Sequence, residues 1–166
     1  LNWTDFAESH GIILVAPTLD LSAEAEVHAP GLLRAIMDAV RAAWTVDSSR
    51  IYVFGYSGGG YFAYDAALLD ANYFAAAGIF ASVIQPGYDT IVQEAPRHTS
   101  IAIYIGDHDP YFSLDQARRT RDLLLAAGDD VHYEELVGVD HNYSAVAGRV
   151  NPDAWTFMSA HTLPGN

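Results

Sequence analysis

Short apolar runs alternate along this chain with longer stretches that carry apolar residues at helical spacing. Ile12-Ile13-Leu14-Val15-Ala16, closed by Pro17, reads as a buried strand. Ile51-Tyr52-Val53-Phe54, residues 74–81 and Ile101-Ala102-Ile103-Tyr104-Ile105 repeat that pattern, while residues 131–137 alternate more and read as a strand near a sheet edge. Across residues 30–44, Leu32, Leu33, Ile36, Val40 and Trp44 recur at helical spacing, with Pro30 suited to a first turn. Further helices are expected over 3–10 (stopped by Gly11), 58–70 and 114–127 (ended by Gly128). A terminal helix is expected to start at Asn151-Pro152 and to carry Trp155, Phe157 and Met158. Residues 18–29 read as a polar, acidic loop, and Pro86-Gly87 opens another that runs to about residue 98. Apolar strands separated by helices predict an α/β fold: one domain over residues 1–166, with a doubly wound, mostly parallel sheet covered by helices on both faces.

Composition narrows the function classes. At 166 residues and 51% apolar, the chain suits a globular domain with its own core. A formal charge of −13 with no lysine leaves no basic stripe for phosphates, so no nucleic-acid partner is expected. No apolar run approaches the roughly 20 residues of a membrane-spanning helix, so no membrane span is expected. Without cysteine there is no thiol nucleophile, disulfide or Cys-based metal site, and the histidines show no metal-ligand spacing. No metal or organic cofactor is therefore expected. Localisation stays open between secreted and cytoplasmic.

The chemistry concentrates after the apolar run 51–54, where Gly55-Tyr56-Ser57-Gly58-Gly59-Gly60 leads into a helix-compatible stretch. This is the strand–turn–helix setting of a nucleophile elbow, in which G-x-S-x-G holds a serine on a sharp turn above the sheet. The helix that begins there presents free N–H groups to developing negative charge. A serine nucleophile needs a base, and the base needs an orienting acid. Gly106-Asp107-His108-Asp109-Pro110-Tyr111 follows strand 101–105, and Gly138-Val139-Asp140-His141-Asn142-Tyr143 follows strand 131–137. Serine, acid and histidine thus each follow a strand end, in the order such hydrolases use. Asp107 and Asp109 both remain candidates for the acid, with Asp140 a weaker one. His108 reads as a cleft or capping residue, His132 as a surface or sheet-packing one, and His10, His28, His98 and His161 show no partner spacing. Tyr56, Tyr111 and, more weakly, Tyr143 are expected to line the cleft, where aromatics suit an acyl or aromatic group.

These residues resemble the α/β-hydrolase superfamily, most closely a carboxylesterase branch of feruloyl-esterase and polyhydroxybutyrate-depolymerase-like proteins near the prolyl-oligopeptidase-type hydrolases. The likeness runs through Val46-Asp47-Ser48-Ser49-Arg50 into the elbow, through Tyr73-Phe74-Ala75-Ala76-Ala77, the Gly106-x-x-Asp109 loop, and Trp155-Thr156-Phe157 with His161. It implies a serine ester hydrolase of small-molecule esters, with Ser57 as nucleophile, Asp109 as orienting acid, His141 as base and Gly58 as one oxyanion donor. A peptidase of the prolyl-oligopeptidase type and a non-catalytic hydrolase-like binding module are the alternatives.

The likeness fails at the front. In that superfamily a further strand lies between those corresponding to 12–16 and 51–54, and its loop supplies a second oxyanion N–H. Nothing before Trp3 matches it. Strands 12–16 and 51–54 are then expected either to pair directly or to leave an open slot. An upstream segment of the natural protein or a second chain would complete the sheet, and a shortened hydrolase with rearranged first strands is the third option.

Overall fold

A computed structural model of the chain describes residues 2–17 and 29–164. The polar stretch 18–28 lies outside the described residues, and Ala29 already belongs to a helix. Helix α1 is Thr4–Ser9, ended by Gly11 at φ 64, and α2 is Ala29–Ala43. There follow β1 (Tyr52–Tyr56), α3 (Gly58–Leu69), β2 (Ala76–Phe80), the short α4 (Thr90–Gln93), β3 (Ser100–Gly106), α5 (Leu114–Ala127), β4 (Asp130–Leu136) and α6 (Tyr143–Ser159). The four strands pair in chain order, β1-β2-β3-β4, all parallel. The register runs from Tyr52 opposite Ala76 through Ala76 opposite Ser100 to Ser100 opposite Asp130. Their carboxyl ends therefore share one rim, where Ser57 and the two loops begin.

Alternation along the strands divides the core into two layers. Ala77, Ile79, Ile101 and Ile103 face Ala63, Tyr64, Ala67 and Leu68 of α3 and Leu124 of α5. Ala76, Phe80, Ala102 and Tyr104 face Ala147, Val150, Ala154 and Met158 of α6. Helices thus cover both faces, and Ile79, Ile101 and Ile103 lose all their exposure, each worth about 1.5–3 kcal/mol. Gly78 belongs to the α6 layer, because a Cβ there would meet the Phe54 ring at 2.7 Å.

Helix α5 has the expected bounds because both ends are chemically marked. The Ser113 hydroxyl accepts from the Gln116 N–H while the Gln116 side chain accepts from the Ser113 N–H, and Gly128 ends the helix in the left-handed region. Two expectations are corrected. Residues 12–16 form no strand, and Ile13 and Leu14 are 45% and 39% exposed. An apolar run becomes a strand only where a ladder satisfies its backbone, and β1 pairs with β2 alone among the described residues. Residues 12–16 and β1 therefore do not pair directly. The last helix begins at Tyr143 rather than Asn151, with Pro152 inside it.

Candidate active site

The elbow forms because β1 ends directly beneath the first turn of α3. Ser57 sits at φ 53, ψ −121, one of two non-glycine residues with positive φ among those described. Such a conformation costs about 1–3 kcal/mol and persists only where surrounding structure imposes it. Here the Ser57 N–H donates to the Phe80 carbonyl (3.0 Å), and the Ser57 carbonyl accepts from the Gly60 N–H (2.8 Å). Two glycines are steric necessities. A Cβ on Gly55 would lie 2.3 Å from the Gly59 carbonyl oxygen, and one on Gly60 would lie 2.3 Å from Ser82 Cβ. Gly59 has open space around it. Gly58 opens α3, so its N–H belongs to the first-turn donors that have no acceptor within the helix.

The second and third groups come from loops clamped together. The Asp107 N–H donates to the Leu136 carbonyl (3.1 Å) and the His108 N–H to the Val139 carbonyl (2.9 Å). The Asp107 carboxylate accepts from the Gly138 N–H (2.6 Å), which leaves it as a loop clamp and not a partner of His141. Asp140 accepts from the Asn142 N–H (2.9 Å), a turn contact. Of the three acid candidates only Asp109 meets the imidazole.

That meeting is tight. Asp109 Oδ2 lies 2.6 Å from His141 Nδ1, and His141 Nε2 lies 2.8 Å from Ser57 Oγ. The Asp109 side chain is fully buried and its Oδ1 accepts from the Tyr111 (2.9 Å) and Phe112 (3.0 Å) N–H groups. A carboxylate only accepts, so the contact places the ring proton on Nδ1 and leaves the Nε2 lone pair facing Ser57. The structure thus brings Ser57, Asp109 and His141 into one hydrogen-bonded chain at the strand ends, with Gly58 beside them.

The three tyrosines divide. Tyr111 is 71% exposed and packs edge-on against the His141 ring at 4.7 Å between centroids. Tyr56 is 37% exposed, and its hydroxyl donates to the His141 carbonyl (2.6 Å). Burial, with the Asp109 and Asp140 carboxylates nearby, holds the phenol above its ordinary pKa and keeps it a donor. Tyr143 is not a cleft residue: it is buried, stacks on Phe54 and touches Phe80, and donates its hydroxyl to Asn151. Its place at the inward start of α6 puts it beneath the site. Burial accordingly raises its pKa. Phe112, one of the aromatics clustered near these loops in sequence but not among the expected cleft residues, packs 5.9 Å from the His141 ring.

Among the described residues, the remaining histidines stand apart from this hydrogen-bonded chain. His108 is exposed. His161 contacts Asp130 and the Phe157 carbonyl, both at 2.9 Å. Among the described residues, His132, Glu134 and Asp153 bring potential metal-ligand atoms within 4.8 Å of one another. Those atoms already have partners: His132 Nε2 lies 2.9 Å from Asp153 Oδ2, Tyr104 donates to that same oxygen, and Arg149 pairs with Glu134. No helix among the described residues is long and apolar enough to cross a membrane.

The sequence matches the model of the dienelactone hydrolase family over residues 20–156. No curated protein matches it. Solved structures do. An S-formylglutathione hydrolase from Staphylococcus aureus shares 18% identity over 93% of this chain and 72% of its own, at a TM-score of 0.76. A fluorophosphonate-binding serine hydrolase of the same organism gives 18%, 93%, 74% and 0.76. A polyhydroxybutyrate depolymerase from Penicillium funiculosum gives 18% over 59% of this chain and 41% of its own, at 0.51.

Proposed function

The chain belongs to the dienelactone hydrolase family, within the hydrolases of the α/β fold, and we propose that it is a serine esterase using Ser57, His141 and Asp109. Ser57 Oγ attacks the carbonyl carbon of a carboxylic ester while Nε2 of His141 takes the hydroxyl proton. Asp109 holds the imidazole in the tautomer that can accept and stabilises the imidazolium that forms. The resulting oxyanion develops beside the Gly58 N–H and the positive end of α3. Collapse breaks the ester C–O bond, and His141 returns its proton to the departing alcohol. Water repeats the sequence on the acyl-enzyme, giving the carboxylic acid and free Ser57.

The observation that carries this reading is the unbroken contact from a buried carboxylate through His141 to a serine held at positive φ. Tyr111 and Phe112 beside the imidazole favour short acyl or aromatic esters. The test is turnover of p-nitrophenyl acetate. Wild-type protein should hydrolyse it and Ser57→Ala should not; undiminished turnover by Ser57→Ala would overturn the assignment.

A further inference from the structure

We propose that Tyr56 is a positioning residue for the base, its hydroxyl tying the His141 carbonyl to the strand that carries Ser57. The inference rests on the reading of Ser57 and His141 as nucleophile and base. Ser57 follows β1 and His141 follows β4, and these strands lie at opposite ends of the four-strand order. Three strand spacings, about 14 Å in all, separate them. The loop carrying His141 must therefore reach back across the top of the sheet to meet the serine.

Its hydrogen bonds to the β3 side are the Asp107 and His108 clamps described above, which secure Gly138 and Val139, and the contact of the His141 ring with Asp109. At His141 itself, the carbonyl accepts from the Tyr56 hydroxyl at 2.6 Å and from the Tyr143 N–H at 3.1 Å. The second of these is local to the turn that starts α6. The first joins the loop directly to β1. Since Tyr56 immediately precedes Ser57, its hydrogen bond and the Ser57–His141 contact close one small ring of atoms. The separation of Oγ and Nε2 is then governed by that ring instead of by the long path through three further strands.

Among the described residues the hydroxyl has no competing hydrogen-bond partner, and the ring is itself braced. Tyr56 packs against Phe80 at 5.8 Å and Tyr143 at 5.5 Å between centroids, and against the His141 ring at 5.1 Å. Tyr52, Phe54 and Tyr56 share this sheet face by strand alternation. A tyrosine in this place therefore offers two separable things, an aromatic wall and a hydroxyl. The wall suits substrate contact; the hydroxyl is already committed to the base.

Tyr56→Phe separates them, because it keeps the ring and removes only the oxygen. An error of 1 Å between reacting groups costs about 100-fold in rate, so kcat should fall about 10- to 100-fold while KM stays within about twofold. The loss should be the same for small and large acyl esters. The low-field proton resonance of His141 Nδ1–H should shift or broaden in Tyr56→Phe, a response that mere loss of packing would not give. Wild-type kcat with an unchanged resonance would overturn the proposal. So would a loss confined to KM that grows with substrate size, which would make Tyr56 a cleft wall only. Ser57→Ala run in parallel keeps the two readings apart: if it still turns over ester, the nucleophile assignment fails, while the His141 resonance still reports whether Tyr56 holds the ring.

Discussion

Asp109→Asn removes one charge and almost no volume. In the wild type Oδ1 accepts two backbone N–H groups, from Tyr111 and Phe112, and Oδ2 faces His141 Nδ1 at 2.6 Å. An asparagine that keeps both backbone contacts must turn its NH2 toward the imidazole. Nδ1 then has to accept, the ring proton moves to Nε2, and the base presents a donor to Ser57 where an acceptor is needed. The opposite amide flip restores the tautomer but sets the NH2 against two N–H donors in a buried site. Each donor left without its partner costs about 1–3 kcal/mol. Either way the expected loss in kcat is about 10⁴-fold, the size seen when an orienting carboxylate is replaced in such triads, or about 5 kcal/mol of transition-state stabilisation. Steady-state hydrolysis of p-nitrophenyl acetate measures it. Asp107→Asn and Asp140→Asn should stay within a few-fold of wild type, since their carboxylates hold turns and not the imidazole. Retention of more than a tenth of the activity by Asp109→Asn, with collapse in Asp107→Asn, would refute the reasoning.

Two further outcomes follow from the packing. Gly55→Ala sets a Cβ 2.3 Å from the backbone oxygen of Gly59 and 2.7 Å from Ala63 Cβ. It should cost at least about 1–3 kcal/mol in urea unfolding, together with most of the ester turnover, whereas Gly59→Ala, with open space around it, should leave the elbow intact. Asp129 is buried, with Oδ1 accepting from the Thr99 N–H and Oδ2 without a hydrogen-bond partner among the described residues, and burial raises its pKa in the folded state. The native carboxyl then holds its proton to higher pH than the unfolded one, so its contribution to stability falls as pH rises from about 4. The Tm of Asp129→Asn relative to wild type should accordingly be more favourable at pH 7 than at pH 4; a difference that is flat or reversed would contradict this.

The sequence was legible where chemistry is local. Helix α5 could be bounded from Ser113, Gln116 and Gly128 because those residues cap by their own side chain or backbone freedom. Strands β1 to β3 were legible because a covered parallel sheet imposes continuous apolar runs, and β4 because an edge strand alternates. Residues 12–16 carry the same signal, yet burial depends on a ladder partner that a local pattern does not encode. Asn151-Pro152 suggested a helix start, while α6 begins at Tyr143, eight residues before Asn151. The order of Ser57, Asp109 and His141 was readable because each follows a strand end. The choice of Asp109 over Asp107 came only from the family resemblance, since it depends on which carboxylate the Gly138 N–H occupies. Tyr143 was misplaced for a related reason: closeness in sequence to His141 does not say which way the first turn of α6 faces. The same limit hid the contact between the Tyr56 hydroxyl and the His141 carbonyl, which joins residues 85 apart.

The central claim is that Ser57 is a nucleophile activated by His141. Peptide mapping by mass spectrometry after treatment with a fluorophosphonate tests it most directly, because the reagent needs an activated serine and no particular substrate. A single adduct on Ser57 is expected, formed much more slowly in His141→Ala. An adduct on another residue, or none on the folded protein, would contradict it.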